Sequence, residues 1–92
     1  MPSKRSLPAA LKMARKARGL SQEAFSDVSS RTYLSTLERG MKSPTLSKIV
    51  AISQVLDIHP LTLLMLSYTA GSAAEMDGLI ARIRREIAAL KS

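Results

Sequence analysis

Apolar residues at helical spacing recur along this chain, but breakers stop each run early: Gly19, Gly40, Ser43-Pro44, His59-Pro60 and Gly71 cut the pattern into short segments. Only the stretch after Gly71 continues regularly towards the C-terminus. Short periodic runs closed by left-handed glycine caps and reopened by Ser, Thr or Pro predict an all-α fold. Residues 1–6 read as a mobile polar arm. Ser6-Leu7-Pro8 opens a first helix to about Arg18, with Leu7, Leu11 and Ala14 on one face and Gly19 as its stop. Ser21 is placed to cap a second helix, with Glu23 in its first turn and Phe25 as apolar anchor, fading near Val28. After the polar Ser29 and Ser30 the pattern resumes from Arg31 to Arg39, with Leu34 and Leu37 three apart, and Gly40 ends it.

Ser43-Pro44-Thr45 opens a fourth helix in which Leu46, Ile49, Val50, Ile52, Val55 and Leu56 are apolar nearly all round, as expected of a core helix. Beyond the connector Asp57-Ile58-His59-Pro60, the residues Leu61, Leu63, Leu64 and Tyr68 predict a short fifth helix that closes the bundle.

A chain of 92 residues forms one domain, or one domain with an appended element, and leaves little room for a buried catalytic cleft. It has no cysteine, so disulfides and thiolate metal sites are excluded and stability must come from packing or association. Leu61 to Leu66, interrupted by Thr62, is the longest apolar stretch and falls far below the roughly 20 residues of a membrane span. With nothing resembling a cleavable signal, the sequence reads as a soluble, cytoplasmic protein.

The net charge is +7, and residues 1–48 hold ten Lys/Arg against three Asp/Glu while residues 49–92 hold four of each. A one-sided excess of cations is the footprint of a polyanion binder, because lysines and arginines that displace condensed counterions supply most non-specific nucleic-acid affinity. A solubility device or a membrane-surface binder would carry the same charge.

The two helices around Ser29-Ser30 flank a tight polar turn, and the outer face of the second carries Arg31, Thr32, Ser35 and Thr36. These side chains are short or fork-shaped and suit base edges in a groove. Four landmarks occur in order: Arg15-Lys16-Ala17-Arg18-Gly19-Leu20-Ser21-Gln22-Glu23, Leu37-Glu38-Arg39-Gly40, Lys42-Ser43-Pro44-Thr45-Leu46 and Ile58-His59-Pro60-Leu61. Through them, the stretch from about Leu11 to Leu66 resembles the XRE family of helix-turn-helix regulators, typified by phage repressors and Cro. That resemblance implies a five-helix bundle over residues 7–69 that binds double-stranded operator DNA as a dimer, with each recognition helix in a major groove.

Position by position, the resemblance implies that Arg31, Thr32, Ser35 and Thr36 contact bases. It places Ser30 at the recognition-helix N-cap and near the backbone, and gives Gln22, Arg39, the Gly40 amide and Lys42 phosphate contacts that fix register rather than sequence. Arg15 and Glu38 match a family pair that forms a largely buried ion pair. Tyr33 has two readings, stacking on the sugar-phosphate backbone or packing against the turn. The turn Val28-Ser29-Ser30-Arg31 is about two residues shorter than the family pattern and lacks its glycine. Either the second helix ends a turn early or the two helices meet at a different angle.

The tail at residues 72–91 lies outside the resemblance. Ser72-Ala73-Ala74-Glu75 reads as a capping box, and Met76, Ile80, Ile83, Ile87 and Leu90 step by four and three in a heptad seam that Leu79 widens. This predicts a C-terminal amphipathic helix for homodimerisation, or else a face that covers the chain's own bundle. Arg82 and Glu86 are spaced for an i, i+4 pair. His59 reads as an N-cap rather than a metal ligand, and Lys4 and Arg5 as a solvated tail or a minor-groove arm.

No catalytic constellation, phosphate-cradling loop or cofactor motif is present, so the expected function is not enzymatic and no cofactor, metal or small-molecule ligand is expected. The expected function is a transcription regulator, most simply a repressor on an inverted repeat. The alternative is a DNA-binding antitoxin or restriction-modification controller with a protein partner such as a toxin, since these share the fold.

Overall fold

The computed structural model describes residues 6–92, so the arm expected at residues 1–6, with Lys4 and Arg5, falls outside the described residues except for Ser6. The described residues form five α-helices and one 3-10 segment: α1 (Leu7–Ala17), the 3-10 segment Gln22–Phe25, α2 (Arg31–Glu38), α3 (Leu46–Leu56), α4 (Pro60–Thr69) and α5 (Ala73–Lys91).

Each helix start has a side-chain cap. Ser6 Oγ accepts from the Ala9 amide at 3.3 Å, Ser30 Oγ from Tyr33 at 3.0 Å, Thr45 Oγ1 from Lys48 at 3.2 Å and Ser72 Oγ from Glu75 at 3.3 Å. His59 caps α4 through Nδ1, which accepts from the Leu61 amide at 3.0 Å. Helices α1 and α2 end alike: Gly19 at φ +68° and Gly40 at φ +73° are left-handed, and the amides of Gly19 and Leu20, then Gly40 and Met41, turn back onto the last turn's carbonyls.

The second helix is where the expectation needs correction. One 3-10 turn, Gln22–Phe25, stands in place of a helix to Val28, and Ser21 precedes it without a side-chain capping bond. The Ser21 carbonyl already accepts from Ala24 at 3.1 Å in the tighter i to i+3 pattern. Beyond Phe25 the amides of Val28 and Ser29 both donate to the Phe25 carbonyl, at 3.0 and 2.8 Å, closing a turn, and of residues 26–30 only Val28 packs an apolar side chain on the core. The shortened turn thus arises because the second helix ends early.

Phe25, Leu34, Ile52, Leu56 and Leu63 are completely or almost completely buried, and Ala10, Leu11, Leu37 and Ile49 complete the core. In α3 only one face is buried: Ile49, Ile52, Ser53 and Leu56 point inward, whereas Leu46 and Val50 are exposed, contrary to a helix buried all round. In α4 Leu63 is buried but Leu61 and Tyr68 are exposed, so only part of that helix closes the bundle.

Arg18 staples the two ends of the core by donating from Nε to the Leu56 carbonyl at 2.9 Å and from Nη2 to the Asp57 carbonyl at 3.2 Å. A guanidinium there meets the negative end of the α3 dipole. No single helix among the described residues is long and apolar enough to cross a membrane.

Helix α5 leaves the bundle. It is 19 residues long, about 28 Å at 1.5 Å per residue, and among the described residues none of it is buried. Met76 and Leu79 are half-buried near α4, while Ile80, Ile83, Ile87 and Leu90 are exposed.

Candidate nucleic-acid interface

Helix α2 is built to show one face and anchor the other. Leu34, Leu37 and Glu38 are buried, Arg31 and Thr32 are exposed, and Ser35 and Thr36 are half-buried on the same outward side. Because the helix has no acidic residue in its first turn, its positive N-terminal end carries no internal neutralisation. Thr36 Oγ1 donates to the Thr32 carbonyl at 2.7 Å, which fixes its rotamer. Arg31 Nη1 rests on Glu23 Oε1 at 3.2 Å, with both side chains roughly 70 % exposed. Such a pair contributes little to stability and is easily exchanged for another acceptor.

Behind this face, Arg15 on α1 grips Glu38 through two bonds, Nε to Oε2 at 2.6 Å and Nη2 to Oε1 at 3.0 Å, while Nη1 donates to the Leu20 carbonyl at 2.9 Å. The Glu38 side chain is only 5 % exposed and that of Arg15 12 %. The hydrogen bonds to Glu38 raise the guanidinium above its already high pKa, against an opposing effect of burial. This two-point clamp fixes α2 against α1 in distance and roll, which sets where the outward face points.

Gln22 joins the same cluster, its Nε2 donating to Glu38 Oε1 at 3.3 Å. The structure therefore holds Gln22 beside the clamp, at the start of the 3-10 segment.

On the other flank lie Arg39, Gly40 and Lys42, all exposed. Arg39 Nε donates to the Ser35 carbonyl at 3.4 Å. The Gly40 amide donates to the Leu37 carbonyl at 3.0 Å, so it closes the helix cap instead of standing open to a phosphate. Gly40 takes the left-handed turn at φ +73° that other residues adopt only with strain.

Tyr33 packs half-buried against the core and sits under two ammonium groups, Lys42 at 5.7 Å and Lys48 at 5.5 Å from the ring centroid. The ring thus packs on the core between two cations, and stacking on a sugar-phosphate backbone remains a proposal. Lys48 was not foreseen: its Nζ donates to the Val28 carbonyl and so ties α3 to the glycine-free turn. No local motif announces a contact across 20 residues, and only the structure brings Lys48 to the site. Lys48→Met is expected to lower the melting temperature modestly, since a cation–π contact and one charged hydrogen bond contribute about 1–3 kcal/mol together. Thermal unfolding by circular dichroism checks this, and an unchanged midpoint would show that the turn holds without it.

Ser30 has its hydroxyl engaged as acceptor of the Tyr33 amide, which leaves its proton free to donate outward. Around α2 the structure thus brings together the outward face Arg31, Thr32, Ser35 and Thr36, the cations Arg39, Lys42 and Lys48, and the clamp Arg15–Glu38. The seam of α5 lies on a different part of the molecule.

A capped helix with a short-side-chain outer face, packed on a preceding helical turn and flanked by cations, defines a helix-turn-helix DNA-binding domain. The helix-turn-helix family model matches residues 11–63, more than half of the chain, and the chain belongs to this XRE-type family of DNA-binding transcription regulators. No curated protein and no solved structure matches it at a significant level.

Proposed function

We propose that this regulator binds an inverted-repeat operator as a homodimer and represses transcription from it, reading bases through Arg31, Thr32, Ser35 and Thr36. The observation that carries this reading is the outward face of α2, held by the buried Arg15–Glu38 clamp and bordered on one side by Arg39 and Lys42. Cations at the border attract the phosphates and set register, while the short side chains between them reach base edges. Gln22 and Ser30 lie on the opposite border and donate to the backbone on that side, where Gln22 must share its amide with Glu38. Tyr33 contributes through its hydroxyl edge while its ring stays in the turn.

Dimerisation through Met76, Leu79, Ile80, Ile83, Ile87 and Leu90 places two recognition helices on half-sites about one helical turn, roughly 10 bp, apart. Selection of binding sites from random duplex DNA at two salt concentrations tests this. Enrichment of an inverted repeat with that spacing supports it, and weak salt-sensitive binding without enrichment would reject it.

Lys42→Ala is expected to weaken binding alike on selected and random DNA and to lower the slope of log affinity against log salt by about 1, as the loss of one phosphate contact does. Titrations over a salt series measure the slope, and an unchanged slope would remove Lys42 from the backbone contacts.

A further inference from the structure

Helices α4 and α5 enclose an open apolar groove of about 500 Å³, walled by Leu61, Leu64, Met65 and Tyr68 of α4 and by Leu79 and Ile83 of α5. Leu61 and Tyr68 are 65 % and 71 % exposed, although the same helix buries Leu63 in the core. Further along the same seam, Ile87 and Leu90 are 52 % and 85 % exposed and lie outside the groove. Among the described residues the chain therefore presents both an open apolar groove and an apolar helix end that none of them covers.

We infer that the C-terminal half of α5 from one copy lies in the α4/α5 groove of a second copy, and reciprocally, so that the two subunits close as a four-helix interface. This rests on the homodimer proposed above and deepens it, because the contact then includes α4 and has a defined direction.

Charge identifies the occupant as a second copy. In a chain of net charge +7, residues 58–74 carry no Asp, Glu, Lys or Arg, so the α4 wall is where two such chains approach with least repulsion. The rim is already neutralised, Arg82 Nε lying 3.5 Å from Glu86 Oε2. A nucleic acid or an anionic lipid surface would find no cation on the α4 wall itself.

Direction follows from the same helix. Its first turns carry Glu75 and Asp77, whereas its second half carries Arg82, Arg84, Arg85 and Lys91 against Glu86 alone. An antiparallel pair opposes the helix dipoles and, in the register below, brings Arg84 of each helix level with Glu86 of the other and Asp77 near its Lys91, whereas a parallel pair sets like beside like. Antiparallel pairing also matches the seam, Ile83 facing the partner copy's Ile87 and Ile80 facing its Leu90, and it brings each C-terminal half alongside α4. In a parallel pair the C-terminal halves would meet each other, away from α4, and leave Leu61 and Tyr68 uncovered. Two heptads on their own make a weak coiled coil, so covering the α4 wall supplies apolar contact that the seam lacks.

The test uses the full chain in sedimentation velocity, with circular dichroism confirming helical content. A groove variant, Leu61→Asp with Tyr68→Asp, and an end variant, Ile87→Asp, change exposed side chains and are expected to remain folded but sediment as monomers where the unaltered chain is a dimer. An equimolar mixture of the two is expected to recover a dimer fraction that neither variant shows alone, since one intact end meets one intact groove. A groove variant that stays dimeric while the end variant is monomeric would overturn the groove and leave an α5-only dimer standing. A mixture that stays monomeric would overturn the reciprocal contact. An unaltered chain that is monomeric at every concentration would overturn both this inference and the homodimer, leaving the DNA-binding face of α2 untouched.

Discussion

Replacing Glu38 by alanine lowers the melting temperature by more than about 10 °C, the largest stability loss expected from any residue near the DNA-facing surface. The carboxylate is buried and accepts two bonds from Arg15 and one from Gln22. Removing it leaves a guanidinium that is mostly out of water and bonded only to the Leu20 carbonyl. Breaking a buried pair in this way costs about 3–5 kcal/mol, against a total of about 5–15 kcal/mol for a domain, and each kcal/mol moves the midpoint of a chain this size by about 4–8 °C.

Two controls separate pairing from packing. Glu38→Gln keeps the shape but not the charge and falls between the two. The double variant Arg15→Met, Glu38→Leu loses less than the sum of the single changes, because neither charge is then stranded. Thermal unfolding of the unaltered chain, Arg15→Met, Glu38→Leu and the double variant measures the coupling, and additive losses would show that the two residues act separately. DNA affinity is expected to fall with stability in Glu38→Ala and to recover on cooling, since the buried carboxylate holds α2 in place through Arg15.

What could be read from the sequence was what is local. Gly19, Gly40, Thr45, His59 and Ser72 announce helix ends because caps depend on one to four neighbouring residues, and all five act as the spacing implied. The outward set on α2 follows from where Leu34 and Leu37 must point. The Arg15–Glu38 pair came instead from resemblance to a family, since nothing in a separation of 23 residues predicts contact.

Three features were beyond sequence reasoning. The choice between an early end of the second helix and a changed helix angle, both open in the sequence, depends on how little apolar surface the stretch from Ser26 to Ser30 offers the core, a tertiary property. Arg18 on the end of α3 and Lys48 on Val28 bridge 38 and 20 residues. The exposure of Leu46, Leu61 and Tyr68 depends on which neighbour each helix face meets, and periodicity gives a face without naming what covers it.

Arg31→Ala is expected to reduce specific DNA binding by about 1–3 kcal/mol, roughly 5- to 150-fold, with no change in melting temperature. Arg31 is the first residue of α2, so in the proposed complex its guanidinium projects from the end of the helix turned towards base edges. In the free protein its partner is Glu23, and an exposed pair of this kind gives up little when it is broken. A guanine offers two acceptors in the plane of the guanidinium fork, whereas a phosphate met in passing offers charge without that match. Glu23 therefore holds the fork ready while competing with weaker acceptors, and its own charge opposes phosphates near it.

The loss in Arg31→Ala should fall mainly on the selected operator, so that the ratio of specific to random affinity shrinks. Arg31→Lys retains the charge but not the fork, and restores binding to random DNA without restoring the ratio. Glu23→Gln raises affinity instead of lowering it, and because it tightens binding to random DNA more than to the operator the ratio shrinks here too. Titrating the operator and a scrambled duplex at one fixed salt concentration gives each ratio. Equal losses on both duplexes in Arg31→Ala would make Arg31 a backbone contact, and the reading of bases would then rest on Thr32, Ser35 and Thr36.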